Sequence, residues 1–177
     1  MTVPPDGFAR RSPLYRLFVA AGAQFVAWGD AAVAMHCDDD RVRERERLQR
    51  LGLVDLSVLP RTGFKGPGAP DWLATQRLRL PDAPNRAAPQ PDGGLLARLG
   101  VEEHLLLAPP DGAAAAVAGL DRACAEAEPA GVYDLPRRDS HAWLRVIGIE
   151  AAAMFAAIDL DHHRVAEVAR RDGLRHL

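Results

Sequence analysis

Side chains that ionise, attack or ligate are gathered in a few stretches of this chain. His36-Cys37-Asp38-Asp39-Asp40 sets potential metal ligands in a row. Successive residues of a strand point to opposite faces, so few of these can converge on one ion. The aspartates read instead as the cap of a following helix. Asp159, Asp161, His162 and His163 form a second such group, but the two histidines are adjacent rather than at HxxxH spacing, and the segment reads as a strand end or surface turn. No metal is expected at either place. Ser57 and Ser140 lack a GxSxG elbow, Cys37 and Cys124 have no nucleophile signature beside them, and neither a GxGxxG nor a P-loop is present. Nucleophilic and nucleotide-dependent chemistry therefore finds no support.

The run Arg41, Arg43, Arg45, Arg47 and Arg50 invites a nucleic-acid reading, yet Glu44, Glu46 and the three preceding aspartates cancel it. Counterion release needs uncompensated positive charge. A solvated helix with internal ion pairs is expected instead. The whole chain of 177 residues carries a net charge of −2, with 48% hydrophobic and 26% charged residues, so neither nucleic acid nor an anionic membrane is expected as a partner. No apolar run reaches membrane-spanning length, and MTVPPDGFARR lacks the apolar core of a signal peptide. The two isolated cysteines fit a reduced compartment, and a cytoplasmic location is expected.

Residues 51–74, LGLVDLSVLPRTGFKGPGAPDWLA, organise the rest. They read as a helix end, a turn, a strand and a new helix. Gly52 suits the left-handed position after a helix, and Asp55 and Ser57 can turn the chain through bonds to nearby N–H groups. Residues 62–65 read as a strand, and Gly66-Pro67 opens a helix. The phrase recurs: Gly131-Val132-Tyr133-Asp134-Leu135 answers Gly52-Leu53-Val54-Asp55-Leu56, and Gly148-Ile149-Glu150-Ala151 answers Gly66-Pro67-Gly68-Ala69. Two pseudo-repeated halves are the expectation.

The remaining elements follow from pattern. Residues 1–13, rich in proline and polar groups, are expected as a mobile arm before one domain spanning 14–177. Residues 14–19 suit a short helix or a strand. Residues 24–28 and 31–36 flank Gly29-Asp30 as a hairpin, and the segment 81–94, with four prolines and Gly93-Gly94, reads as a long surface loop. A second hairpin joins 95–99 to 104–108. Asp111 caps a helix over 113–128 whose Val117, Leu120 and Cys124 share a face. Residues 142–147 alternate as a strand, and 149–158 place Ala151, Met154, Phe155 and Ile158 on one helical face. A final helix is expected over 163–171. This order gives an α+β fold, a mixed or antiparallel sheet packed with helices.

GLVDLS, a strand and GPGA together resemble the aminomethyltransferase (T-protein) of the glycine cleavage system. Arg11-Ser12-Pro13-Leu14, Leu80-Pro81 with Pro84-Asn85, LLARLGVEEHLLL and VYDLPRRDSHAWLRVIGIEAAAMFAAIDLD are more similar to the gamma subunit of heterotetrameric sarcosine oxidase, of the same folate-binding superfamily. The resemblance implies a folate-binding aminomethyltransferase-like domain. It implies tetrahydrofolate as the ligand, not covalently bound, and other oxidase subunits as partners. It also places a ligand site at Trp28, for stacking, Asp55 and Ser57, for the pterin edge, and Arg61, for a glutamate tail. In that family an Asp follows a Gly-Gly pair. Here Gly93-Gly94-Leu95-Leu96 runs into Ala97-Arg98 with no carboxylate. The resemblance therefore implies a non-catalytic, gamma-like oxidase subunit; the alternative is a stand-alone tetrahydrofolate binder or one-carbon enzyme.

Overall fold

Capping, turn chemistry and a single very apolar sheet face account for most of the architecture. The computed structural model describes residues 1–37, 40–109, 114–137 and 141–157. In chain order its first elements are β1 (Arg10–Arg11), α1 (Tyr15–Ala20), β2 (Gln24–Trp28), β3 (Ala31–His36), α2 (Arg41–Arg50), β4 (Gly52–Asp55), β5 (Arg61–Lys65) and α3 (Ala69–Thr75). There follow β6 (Arg86–Pro89), β7 (Leu95–Arg98), β8 (Glu103–Leu107), α4 (Ala114–Ala127), β9 (Tyr133–Leu135), β10 (Leu144–Ile147) and α5 (Ala151–Ala157). These elements fall into two compact units, Met1–Val58 with residues 141–157, and residues 59–137. The expectations for Asp38, Asp39, Asp111, Ser140, Ile158, Asp159, Asp161, His162, His163 and the helix 163–171 lie outside the described residues, as does the side chain of Phe155.

The first unit holds the sheet β1-β3-β2 and the pair β10-β4. Gly29, at φ 57°, turns β2 into β3 as the hairpin pattern requires. Residues 1–13 carry a 3-10 turn at Pro5–Gly7 and the strand β1, which runs parallel to β3, and the Val3 N–H donates to the Phe25 carbonyl at 2.9 Å. Asp40 caps α2, its Oδ1 accepting from the Val42 and Arg43 N–H groups at 3.0 and 3.1 Å. No residue of α2 is buried, in keeping with its charge. Arg50 reaches Glu150 at 2.9 Å.

Gly52 corrects one expectation. It lies in extended β4, not in a left-handed cap, and Leu51 before it is extended too. A Cβ on Gly52 would strike the Leu48 side chain and crowd Ile147, so glycine is there for the close approach of α2 to the β4–β10 pair. Two of the glycines with positive φ, Gly66 (118°) and Gly148 (107°), each lie between a strand and a helix.

The second unit is a five-stranded antiparallel sheet in the order β6-β7-β8-β5-β9, covered by α3 and α4. Four successive residues of β5, Arg61 to Phe64, are buried, and strands pair with its main chain on both sides. Phe64, Trp72, Leu73, Leu96, Leu106 and the expected helix face Val117, Leu120 and Cys124 form one core. The Phe64 and Trp72 rings meet at 4.9 Å between centroids and 53° between planes.

Two further expectations are corrected here. Part of the proline-rich segment 81–94 is strand β6, paired with β7, and Gln90 fastens its end by bonding the Arg79 N–H and carbonyl and the Ala88 carbonyl at 2.9–3.0 Å. Pro89 is tolerated because β6 is an edge strand. The second Asp-Leu turn is absent: Asp134 sits in β9 opposite Phe64 with an exposed side chain. Each copy of the phrase supplies one strand to each unit, β4 pairing with β10 and β5 with β9.

Two substitutions test this packing by thermal or urea melts. Phe64→Ala is expected to cost about 3–5 kcal/mol, as for other fully buried aromatic rings. Gly148→Ala is expected to cost about 1–3 kcal/mol, from a positive φ and from the Arg50 backbone that its Cβ would meet.

Candidate functional site

β4 ends at Asp55, and the polar contacts of the first unit concentrate at the turn beyond it. Asp55 Oδ1 accepts the Ser57 N–H at 2.9 Å, and Oδ2 accepts a short hydrogen bond from the Ser12 hydroxyl. The Ser12 oxygen in turn accepts the Leu14 N–H at 2.9 Å. Ser57 Oγ accepts the Trp143 N–H at 2.9 Å and donates to the Trp143 carbonyl at 3.4 Å, while the Leu56 N–H donates to the same carbonyl at 2.8 Å. Three stretches of chain remote in sequence are thus tied by one carboxylate and two buried hydroxyls. Asp55 and Ser57 do turn the chain as the sequence suggests. Ser12 and Trp143 were not foreseen as part of this network. The signal for Ser12 was its place in Ser12-Pro13, a turn-initiating pair whose hydroxyl bonds two residues on.

The other two expected site residues lie one in each unit. Trp28 closes β2 opposite Ala31 and is 38% exposed, so its ring is open to stacking. Arg61 belongs to the second unit, opens β5, and is only 2% exposed. Its Nε donates to the Arg137 carbonyl at 2.6 Å. Arg137 forms a close ion pair with Glu103, whose other oxygen lies 3.9 Å from Lys65 Nζ. These charges fasten β9 and β8 to the strand between them. A shallow depression of about 390 Å³ in the first unit, polar and apolar by turns, is lined by Thr2, Val3, Pro5, Val19, Gln24 and Phe25 among others, and by none of the four expected residues.

The strand after Gly93-Gly94 is β7, with Leu95, Leu96, Ala97 and Arg98. The nearest carboxylate, Asp92, is used in the turn, accepting the Gly94 N–H at 2.9 Å. Both thiols are held protonated. Burial raises Cys37, with a further push from Glu44, and burial raises Cys124, with Asp134 and Asp121 adding to it. Among the described residues no three His, Cys, Asp or Glu side chains gather as a metal group, and no helix is long and apolar enough to cross a membrane.

No protein-family model matches the chain, and no curated protein matches it. Solved structures do match. The glycine cleavage system aminomethyltransferase T from Bartonella henselae superposes with a TM-score of 0.63 at 24% identity, over 84% of this chain and 43% of that one. Heterotetrameric sarcosine oxidase from Corynebacterium sp. U-96, in complex with pyrrole 2-carboxylate, superposes with a TM-score of 0.51 at 23% identity, over 81% of this chain and 64% of that one. The fold is therefore the α+β aminomethyltransferase type, as the resemblance implied, and the chain spans about half the length of the structures it matches.

The two Asp-Leu sites are expected to respond differently to truncation. Asp55→Ala leaves Ser12 and the Ser57 N–H without their charged acceptor and is expected to cost about 1–3 kcal/mol. Asp134→Ala, at an exposed edge, is expected to stay within about 0.5 kcal/mol of the parent. Paired denaturant melts check both.

Proposed function

We propose that this chain is a non-catalytic, gamma-like subunit of a multisubunit oxidase acting on sarcosine or another N-methyl amino acid, built on the aminomethyltransferase-type fold. In this reading it is a cytoplasmic protein, and partner chains carry the flavin chemistry and the one-carbon handling. The observation that carries the proposal is β7, the strand after Gly93-Gly94, which presents Leu-Leu-Ala-Arg. With no carboxylate there, nothing at that position can hold an amine or take a proton from it. The heterotetrameric assembly named for one structural match supports a subunit role.

Tetrahydrofolate, the ligand that the resemblance implies, would meet candidate residues that already bond within the chain. Each oxygen of Asp55 and the Ser57 hydroxyl already takes part in the turn, and the Arg61 guanidinium is 2% exposed and donates through Nε to the Arg137 carbonyl. Only Trp28 offers an open face. Purification of the natively expressed protein tests the subunit role: co-elution with flavin-containing oxidase chains is expected, and elution alone overturns it.

A second reading, a stand-alone tetrahydrofolate-binding protein or one-carbon enzyme, is favoured by the higher TM-score to aminomethyltransferase T. It requires the turn at Asp55 and Ser57 to release its internal bonds to the ligand. Calorimetry with tetrahydrofolate separates the two: heat that is lost in Trp28→Ala and Asp55→Ala would favour the second reading, and no heat at millimolar ligand the first.

A further inference from the structure

We propose that His104 is an acid-sensitive latch: neutral, it seals the helix-covered face of the five-stranded sheet, and protonated, it loosens that face. The ring sits in β8, 1% exposed, directly opposite Phe64 on β5 and Arg98 on β7. Neither Nδ1 nor Nε2 has a hydrogen-bond partner among the described residues. A neutral imidazole has one donor and one acceptor, so both are left unmade at a cost in desolvation. A core position of that volume would be filled more cheaply by leucine or phenylalanine, which is what sets the histidine apart.

Its surroundings are arranged against a charge. Cross-strand partners place side chains on the same face, so one row runs Arg86, Arg98, His104, Phe64, Asp134 across the five strands. Two guanidinium groups therefore lie on one side of the ring, and the aspartate lies beyond Phe64 at the exposed edge. Arg98 cannot swing away freely, because it is bonded to the carbonyls of Pro81, Asp82, Gly100 and Val101. From α3, which packs on β8, the buried residues are Ala69, Trp72 and Leu73, with no titratable group, and the apolar face of α4 brings only the Cys124 thiol. Thr62 and Phe64 of β5 likewise offer no countercharge. Glu103 lies next to His104 along β8, on the opposite face, and is occupied by Arg137 and Lys65.

Burial, and then the field of Arg98, hold the ring below the ordinary histidine value. The unfolded chain binds a proton at His104 near pH 6.5, and the folded chain does so only at lower pH. The folded state is thus undisturbed above about pH 6.5, and it loses stability as pH falls through that value towards the lower folded one, where the unfolded chain holds more protons.

Thermal melts of the full chain between pH 8 and pH 5 test this against His104→Phe, which keeps an aromatic ring and removes the titration. The melting temperature of the parent is expected to fall on acidification through pH 6.5, and the variant to lose a clearly smaller part of it. Equal falls in both proteins overturn the proposal. If the variant does not fold, an NMR titration of the parent's histidine rings decides: a His104 ring that titrates below the other histidines sustains the proposal, and one at or above about pH 6.5 overturns it.

Discussion

The second unit depends on the burial of β5. Its backbone pairs with β8 over five positions and with β9 over three, so little of its polar main chain meets solvent from either side. With its hydrogen bonds settled in this way, Phe64 can sit at 0% exposure under Trp72, and α3 and α4 have a surface to cover. Even the arginine that opens the strand is drawn in, its Nε satisfied by a carbonyl just beyond β9. That bond also ties the segment just beyond β9 to β5.

The first unit is built on a different balance. Among its described residues the buried apolar ones are Phe25, Ala31, Ala32 and Val58, and no residue of α2 is buried. Polar ties make up part of the difference. Ser12, Asp55, Ser57 and the Trp143 backbone bind separate stretches of chain, and Arg10 reaches the Val58 carbonyl at 3.0 Å. Meanwhile Leu53 and Leu144, on the same face of a two-stranded sheet, remain exposed. Such bonds carry net free energies of about 1 kcal/mol each, so the unit is pinned by geometry more than by a large core.

This use of polar groups bears on function. Asp55 and Ser57 are the residues that the resemblance would give to a pterin, and in the structure they serve the chain itself. What the chain shares with aminomethyltransferase T is an architecture. A fold can host unrelated activities, and the site has to be argued separately. On that ground the sequence of β7 weighs more than the superposition.

Much of the secondary structure was legible from local signals. Gly29-Asp30, the hairpin joining 95–99 to 104–108, the periodicity of Val117, Leu120 and Cys124, and the acidic cap at Asp40 each act within a few residues, and each stands where the pattern put it. The fold class was legible from the resemblance. Tertiary structure decided what depends on neighbours remote in sequence. Gly52 is a strand residue because α2 and Ile147 crowd it, and the proline-rich stretch contains a strand because an open edge of β7 accepts it. The same phrase became a capped turn at Asp55 and an exposed edge at Asp134, since only the first met Ser12 and Trp143. The sequence alone marks His104 as an ordinary strand residue. Only the register that sets it between Arg98 and Phe64, beneath the helices, makes it a buried ring with no hydrogen-bond partner among the described residues.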